Sequence, residues 1–221
     1  MISKSMSMKL KLTPELSEFI GMHIGDGTLY KTNRALVWEM RGDLKEQSFY
    51  DNHVIPLLKI LFNDDFKGKI RTGGKRGVYG VQTTNKSLIQ TIISFGINPG
   101  RKSNISIPED ILNSNFLIQT RFLRGYFDTD GCVRFDKPNK HKIAYYPKIE
   151  FASSSKKLRD DLKLLLRRVG LESYTWDVKN KLEFKLCLAG KIKTLFWIKN
   201  ICSKNPKHLD KFLKWLKLQI N

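Results

Sequence analysis

The stretch FLRGYFDTDG, residues 122–131, has the pattern of an apolar helix that ends abruptly in an acid and a glycine. The stretch FIGMHIGDG, residues 19–27, has the same skeleton. In both, a helical glycine is followed five positions later by the pair aspartate-glycine. The two copies are offset by 104 positions, so Asp26 corresponds to Asp130. The sequence therefore predicts two copies of one helix, each with an aspartate at its end.

The segments that follow each copy also correspond. The first half predicts helices at 14–25, 44–62 and 85–95, and strands at 28–31, 35–41, 66–71 and 78–84. The second half predicts helices at 116–128, 154–169 and 190–201, and strands at 132–136, 143–151, 173–178 and 182–188. We expect an α+β fold of two pseudo-symmetric αββαββα repeats. The predicted division is a first repeat at 1–97, a linker at 98–115, and a second repeat at 116–221 with an extra C-terminal helix after Pro206.

The charge of the chain points to an anionic partner. The 221 residues include 40 Lys and Arg against 21 Asp and Glu, a formal net charge of +19 that is dispersed along the whole sequence. Such a surface is typical of proteins that bind nucleic acid or anionic membrane. No apolar run approaches the ~20 residues of a spanning helix, so we expect no membrane partner. A merely well-solvated surface is the simpler alternative, although +19 exceeds what solubility requires.

The cysteines predict a reduced compartment. Cys132, Cys187 and Cys202 are odd in number and have no close spacing, so neither a disulfide framework nor a zinc motif is indicated. We expect all three to be small core residues. The N-terminus has no pattern of a signal or transit peptide. These features predict an intracellular protein, in the cytoplasm of a prokaryote or in an organelle, that is not secreted.

Small residues recur on one face of the duplicated helix. Gly21 and Gly25 are four positions apart, as are Gly125 and Thr129, so each pair shares a helical face. Glycine inside a helix costs about 1 kcal/mol relative to alanine. Its presence at matching positions predicts that the two helices cross closely, and such a crossing would bring Asp26 and Asp130 together.

Two adjacent carboxylates at the negative ends of two helices repel each other, and a divalent cation relieves that repulsion. Oxygen-only ligands favour Mg²⁺, Mn²⁺ or Ca²⁺. On a strongly basic protein such a site fits phosphodiester hydrolysis by metal-activated water. A single Asp-Gly pair is usually only a helix stop, and two copies in matching frames argue against that interpretation. Asp128 has no acidic counterpart, since Ile24 occupies the matching position, and we interpret Asp128 as a residue of the last helical turn.

One face of each four-stranded sheet must be covered by the amphipathic helices, which leaves the other for solvent or a partner. Residue alternation assigns to that free face side chains of the kinds that contact phosphates or base edges. They are Tyr30, Glu39, Arg41, Lys67, Lys69, Arg71 and Gln82 in the first half, and Arg134, Tyr146, Lys148, Glu150 and Lys185 in the second. Each alone could be an ordinary solvated strand residue. As a set they predict a groove that follows duplex DNA.

These motifs and the order of elements resemble the LAGLIDADG homing endonucleases in their single-chain, two-repeat form. The resemblance implies a saddle of two sheets on a long, near-palindromic DNA site and a double-strand break with short 3′ overhangs. It implies Mg²⁺ held by Asp26 and Asp130, with Mn²⁺ able to substitute and Ca²⁺ supporting binding without efficient cleavage. The carbonyls of Gly25 and Thr129 are further implied metal ligands. Gln82 and Lys185 are the candidates for the polar or basic residues that assist catalysis in this family.

Two other classes of protein stay open. One is a binding protein on the same fold: an RNA maturase that acts on its own intron RNA, or a DNA-binding protein that does not cleave. Loss of the motif acids would favour that class, and both acids are present. The other is a structural basic protein, which requires the duplicated frame to be coincidence. Because the repeat already supplies a twofold axis, the chain is predicted to act as a monomer.

Overall fold

The computed structural model describes residues 10–72, 77–137, 145–178 and 183–218. The first half contains α1 (Pro14–Gly25), β1 (Gly27–Lys31), β2 (Leu36–Asp43), α2 (Gln47–Phe49), α3 (Ile55–Phe62), β3 (Lys69–Arg71), β4 (Val78–Thr83) and α4 (Lys86–Ser94). A short helix, α5 (Glu109–Leu112), lies in the connection. The second half contains α6 (Phe116–Asp130), β5 (Gly131–Asp136), β6 (Tyr146–Ser153), α7 (Lys156–Arg168), β7 (Tyr174–Asp177), β8 (Phe184–Ala189), α8 (Lys191–Asn200) and α9 (Pro206–Lys217).

Each half forms one antiparallel four-stranded sheet, with the order β1-β2-β4-β3 in the first and β5-β6-β8-β7 in the second. The registers also match. Met40 lies opposite Val81 in the first sheet, as Phe151 lies opposite Leu186 in the second, and all four side chains are buried. The predicted α+β fold of two αββαββα repeats is therefore confirmed. The inner faces of both sheets and the helices that cover them join in one apolar core.

Capping side chains explain where several helices begin. A side-chain oxygen accepts a hydrogen bond from a backbone N–H of the first helical turn, which satisfies a donor that has no partner within the helix. The capping residues of α1, α4, α6, α7 and α9 are Thr13, Asn85, Asn115, Ser155 and Asn205.

Helices α1 and α6 cross with their backbones in direct contact. A Cβ added to Gly125 would overlap the carbonyl oxygen of Glu18 and lie 3.0 Å from the amide nitrogen of Met22. A Cβ on Gly21 would likewise overlap the carbonyl oxygen of Phe122. No side chain fits between the helices at these points. The close crossing expected from the spacing of the glycines is present.

A buried ion pair ties the same two helices together. The Arg124 guanidinium on α6 donates to both carboxylate oxygens of Glu18 on α1, one of them at 2.8 Å. His53 approaches the same carboxylate at 2.7 Å. Burial raises the pKa of Glu18, but the hydrogen bonds from His53 and Arg124 outweigh burial and hold that pKa below its usual value. The pair breaks the pseudo-symmetry, because the positions equivalent to Glu18 and Arg124 are Phe122 and Ile20.

The segment predicted as a continuous helix at 44–62 changes its winding along its length. Leu44–Glu46 is a 3₁₀ turn, α2 follows, and Tyr50–Val54 is a π-helical turn before α3. The N–H of Ile55 bonds to the carbonyl of Tyr50, five residues back. Pro56 comes next in sequence and has no N–H to donate, so the regular α-helical ladder is interrupted at this point.

The cysteine prediction is wrong in part. Cys187 is buried, whereas Cys202 is half-buried and Cys132 is exposed. Cys132 alternates onto the outer face of β5, opposite Glu150, which explains its exposure.

The predicted strand at 66–71 is shorter than expected. It begins at Lys69, because Phe66 turns into the core.

Some predicted segments lie outside the described residues: much of the basic loops at 72–77 and 137–142, the turn at 179–181, and residues 1–9 and 219–221. Among the helices within the described ranges, none has both the length and the apolar character needed to span a bilayer.

The contact between α1 and α6 predicts that Gly125→Ala lowers the free energy of unfolding by about 1–3 kcal/mol, as overpacking does in a tight core. Helix propensity alone predicts the opposite, a gain of ~1 kcal/mol. Urea denaturation followed by circular dichroism measures the difference.

Gly77→Ala is the matched control for this experiment. A Cβ at Gly77 would lie 3.8 Å from Leu44, which is ordinary contact, so its effect should stay within ~0.5 kcal/mol. Equal stability of Gly125→Ala and the wild-type protein would contradict the proposed steric role of the crossing.

Candidate active site

Asp26 and Asp130 lie together where the crossing helices end. The N–H of Asp26 bonds to the carbonyl of Met22 at 3.0 Å and closes the last turn of α1, and Asp130 is the last residue of α6. The carboxyl carbon of Asp130 is 3.6 Å from the position that a Cβ on Gly25 would take. The same position overlaps the side chain of Thr129, so only glycine allows the two helix ends to approach this closely.

The surroundings of the two acids favour their protonated forms. Burial and then the charge of Asp130 raise the pKa of Asp26 to about 6, while Lys207 and Lys102 act in the opposite direction. Burial also raises the pKa of Asp130, and the same two lysines oppose the change. Two adjacent carboxylates, one of which raises the pKa of the other, form a site where a bound cation gains from both charges.

Lys102 enters this site from the connection between the two halves. Its ammonium group donates to the carbonyl oxygens of His23, Ile24 and Gly25 at 2.8, 3.0 and 2.6 Å, and so caps the negative end of α1. Burial lowers the pKa of Lys102 to about 8, although the charges of Asp130 and Asp26 raise it. A lysine with this pKa is close to its titration range at neutral pH.

Lys207 also lies close enough to the site for its charge to act on both acids. It forms an ion pair of 2.7 Å with Glu46, and the side-chain amide of Asn205 donates to the same carboxylate at 2.8 Å. Glu46 in turn raises the pKa of Asp26. The first repeat therefore contributes a third carboxylate to the edge of the site, and a cation from the second repeat is bound to it.

Asp128 fixes the backbone segment that carries Lys207. Its carboxylate accepts from the hydroxyl of Ser203 and from the N–H of Lys204, the latter at 2.8 Å, and its side chain is 1% exposed. The carbonyl of Asp128 also accepts from Asn205. Asp128 therefore has a structural role in the last turn of α6, as its position in the sequence indicated.

Sequence reasoning missed both lysines, because Lys102 lies in the predicted linker and Lys207 in the helix that has no counterpart. The signal that could have found them is their spacing. They are 105 positions apart, the same offset as the starts of α4 and α8. An internal repeat keeps a constant offset between matching residues, so this spacing draws attention to the segments that follow α4 and α8.

The structure describes the other predicted site residues without testing their roles in catalysis or metal binding. The hydroxyl of Thr129 donates within its own helix, to the carbonyls of Gly125 and Tyr126. Gln82 donates to the hydroxyl of Tyr30 at 2.8 Å, and Lys185 pairs with Glu183 at 3.4 Å. Metal binding by the carbonyls of Gly25 and Thr129, and catalytic assistance by Gln82 and Lys185, stay predictions.

Polar side chains connect across the outer face of the first sheet. Arg41 contacts Glu39 at 3.4 Å and Gln82 at 3.5 Å, and Gln82 in turn reaches Tyr30. Lys69 and Arg71 are exposed on the edge strand. Lys67 lies before that strand and pairs with Asp65 at 3.0 Å, so it is not the strand residue that was predicted.

The outer face of the second sheet is similarly paired. Arg134 lies 3.2 Å from Glu150 and 3.4 Å from Asp136, and Lys148 also pairs with Asp136. Tyr146 lies opposite Asp136 at the end of the first two strands. The cations on this face are therefore held by acids on the same face, and an anionic ligand would have to replace those acids as their partner.

A cavity of about 300 Å³ opens beside Asp130. Its lining includes Gly25, Lys102, Ser153 and Glu183. Carboxylate, ammonium and hydroxyl groups thus face one space at the junction of the two repeats. Within the described part of the chain, no cluster of three or more His, Cys, Asp or Glu side chains is arranged to hold a metal ion. Asp26 and Asp130 are therefore the only two acids that the site offers a cation at short range within the described residues, besides the carbonyls that stay predictions.

Known proteins confirm the class of fold that this geometry indicates. Residues 118–196 match the LAGLIDADG-like domain. The fold is that of the LAGLIDADG homing endonucleases. The structure of I-DmoI in complex with DNA and Mn is similar over 87% of this chain and 98% of that chain, with a TM-score of 0.61 and 18% identity.

Two further solved structures share the fold. The meganuclease I-SmaMI bound to uncleaveable DNA has a TM-score of 0.61 and 11% identity, over 95% of this chain and 91% of that chain. The homing endonuclease I-WcaI bound to its DNA recognition sequence has a TM-score of 0.58 and 14% identity, over 86% and 82%. At these identities the likeness concerns the fold.

One curated relative matches by sequence. The replication factor C small subunit of Methanocaldococcus jannaschii is 26% identical over 208 residues, which are 92% of this chain. The match covers 10% of that much longer protein. The chain thus spans about a tenth of the length of this relative.

The coupling between the two acids predicts how the pKa of Asp26 responds to substitutions. In metal-free protein, Asp130→Asn should lower the pKa of Asp26 from about 6 toward its usual value, because one source of the increase is the charge of Asp130. Lys102→Met should raise it, because the ammonium group favours the carboxylate form. NMR titration of the side-chain carboxyl carbons measures both shifts.

Lys185→Met serves as the control, since Lys185 pairs with Glu183 and its charge is not among those that set the pKa of Asp26. A pKa of Asp26 that is the same in all four proteins would show that the two acids are not coupled.

Proposed function

We propose that this protein is a site-specific endonuclease that cuts both strands of duplex DNA with a divalent metal ion. The observation that carries the proposal is the meeting of Asp26 and Asp130 at the junction of two sheets whose outer faces bear cations. A hydrolytic centre at this junction would lie near the pseudo-twofold axis, between the two faces that we propose bind DNA. Duplex DNA has its own local twofold axes, so one strand can be presented to each acid.

The donor groups of the site fit a hard divalent cation. The charge of Asp130 raises the pKa of Asp26, and the two carboxylates offer oxygen rather than sulfur or imidazole ligands. We assign Mg²⁺ as the cofactor, with Mn²⁺ able to substitute and Ca²⁺ supporting binding without efficient cleavage. When bound, the ion would activate water and stabilise charge on the phosphate group. Solved structures of I-DmoI contain DNA with Mn, Mg or Ca, which supports this assignment.

The chain supplies the remaining functions of the site. Lys102 and Lys207 place positive charge beside the two acids, where negative charge on a scissile phosphate develops during hydrolysis. Burial lowers the pKa of Lys102 to about 8, and three backbone carbonyls fix the position of its ammonium group. The cavity beside Asp130 offers space for one scissile phosphate group.

The two sheets would bind the DNA on either side of the cut. Lys69, Arg71, Arg134 and Lys148 supply cations for phosphates or guanine edges. We infer a long, near-palindromic target, because the two repeats have equivalent backbones with unlike side chains. We further propose that the protein acts as a monomer inside the cell, since one chain contributes both acids and both sheets.

The carboxylates predict that Asp26→Asn and Asp130→Asn each lower the rate of double-strand cleavage by at least about 100-fold, the scale of damage to a metal site. DNA binding in Ca²⁺ should stay within a few-fold, because the sheets are unchanged. Single-turnover cleavage and filter binding measure the two effects.

Asp210→Asn is the matched control, since it removes an exposed carboxylate from α9 and should leave cleavage unchanged. Full Mg²⁺-dependent cleavage by the protein that carries both substitutions, Asp26→Asn and Asp130→Asn, would refute the proposed mechanism. DNA binding without cleavage by the wild-type protein would instead favour a non-cleaving binder.

The sheet face predicts a change in salt dependence. Affinity falls with the logarithm of salt in proportion to the number of phosphates neutralised. Arg134→Ala or Lys148→Ala should therefore weaken binding and reduce that slope by about 1 each, if each cation meets one phosphate.

Lys163→Ala is the control because Lys163 is exposed on α7, one of the helices that cover the opposite side of the second sheet. Binding isotherms between low and moderate salt measure the slopes. An unchanged slope for both sheet variants would remove this face from the interface.

A further inference from the structure

Two aromatic rings are stacked on the outer face of the second sheet. Tyr174 and Trp176 alternate on the edge strand β7, with ring centroids 5.6 Å apart and an interplanar angle of 25°. Tyr174 lies opposite Cys187 and Trp176 opposite Lys185. The residue between them, Thr175, lies opposite the fully buried Leu186. The aromatic pair therefore shares the face of Lys185, on the side assigned to DNA.

The sheet beneath the rings is adapted to them. Cys187 is fully buried although it lies on the outer face, and Tyr174 is hydrogen-bonded to its thiol. The small side chain leaves space for the tyrosine ring to cover it. Tyr174 nevertheless keeps 44% of its surface exposed. A large, partly apolar surface is thus held in one orientation and open to a ligand.

The first sheet has a cation at the place that corresponds to Trp176. The pair Val81 and Met40 in the first sheet is equivalent to the pair Leu186 and Phe151 in the second. Gly80 and Lys185 come one residue before Val81 and Leu186, so these two positions are also equivalent. The partner of Gly80 on the edge strand is Lys69, and the partner of Lys185 is Trp176. Arg71 follows on the same face as Lys69, and both side chains are exposed. The equivalent edges of the two sheets therefore differ, because the first presents cationic side chains and the second presents aromatic rings.

We propose that the two sheets recognise the two halves of the DNA site by different means. Tyr174 and Trp176 read thymine methyl groups in the outer part of one half-site, which is accordingly rich in A·T pairs. Lys69 and Arg71 bind phosphates or guanine edges in the outer part of the other. The inference rests on the proposed function, because it requires that both outer faces meet duplex DNA.

The chemistry of the major groove supports this division. The thymine methyl is the apolar group that distinguishes base edges there, and aromatic side chains contact it favourably. A ring pair fixed by stacking loses little side-chain freedom on binding. Ammonium and guanidinium groups bind phosphate oxygens whatever the sequence. The half-site beneath the second sheet should therefore show base preference at its outer positions. The contribution of these positions to affinity should not depend on salt.

The experiment begins by selecting cleaved sites from a randomised DNA library with the wild-type protein and Mg²⁺. In the selected site, each outer thymine is then replaced by uracil, which removes only the methyl group. Wild-type affinity should fall about fourfold for each contacted methyl, the factor that corresponds to ~0.8 kcal/mol for one buried carbon group. Only the half-site beneath the second sheet should respond.

Two substitutions connect this loss to the aromatic pair. Trp176→Ala should bind thymine and uracil sites equally and keep the wild-type salt slope, while Trp176→Phe should retain preference for thymine. Lys69→Ala is the matched variant on the other sheet. It should reduce the salt slope by about 1 and leave the uracil effect intact.

The outcomes separate the inference from the proposed function. If the protein cleaves a defined site but uracil changes no affinity at any outer position, the aromatic reading is overturned and the endonuclease proposal stands. The same conclusion follows if uracil acts equally on the wild-type protein and on Trp176→Ala. If no DNA is cleaved or bound specifically, the proposed function itself fails.

Discussion

The backbone contact between α1 and α6 is the constraint on which the rest of the structure depends. With glycine at positions 21 and 125, the helices cross with no side chain between them. Their ends then lie close enough for the charge of Asp130 to raise the pKa of Asp26. A wider crossing would separate the acids and leave two unrelated helix ends. The geometry of the site is therefore set by sterics several residues before the acids themselves.

The crossing also carries a buried charge pair that the pseudo-symmetry does not require. Glu18 and Arg124 are paired across the helices, and His53 contacts the same carboxylate. Removing one partner would leave an unpaired buried charge, which is costly, whereas a matched apolar pair could be equally stable. The pair thus specifies which faces of α1 and α6 meet, because any rotation of one helix would leave both charges without partners.

The connections between elements complete the site that the helices begin. Lys102 binds the end of α1, and Lys207 reaches the site through a segment anchored by Asp128 and held by Glu46. Both lysines oppose the increase in the pKa of the acids. Each repeat therefore supplies an acid from its first helix and a cation from the segment after its third.

The sequence by itself determined the repeat, the order of elements and the two acids. Periodicity and the aspartate-glycine frame are local properties, and they survive folding because the core selects the same apolar positions. Tertiary structure alone decided that Lys102 and Lys207 flank the acids and that Cys132 is exposed. It also decided that the two outer faces differ in chemistry at Lys69 and Trp176. The physical reason is that contacts between residues 77 or 159 positions apart depend on packing. The spacing of 105 between the two lysines marks them as a matching pair, but it does not encode which groups they contact.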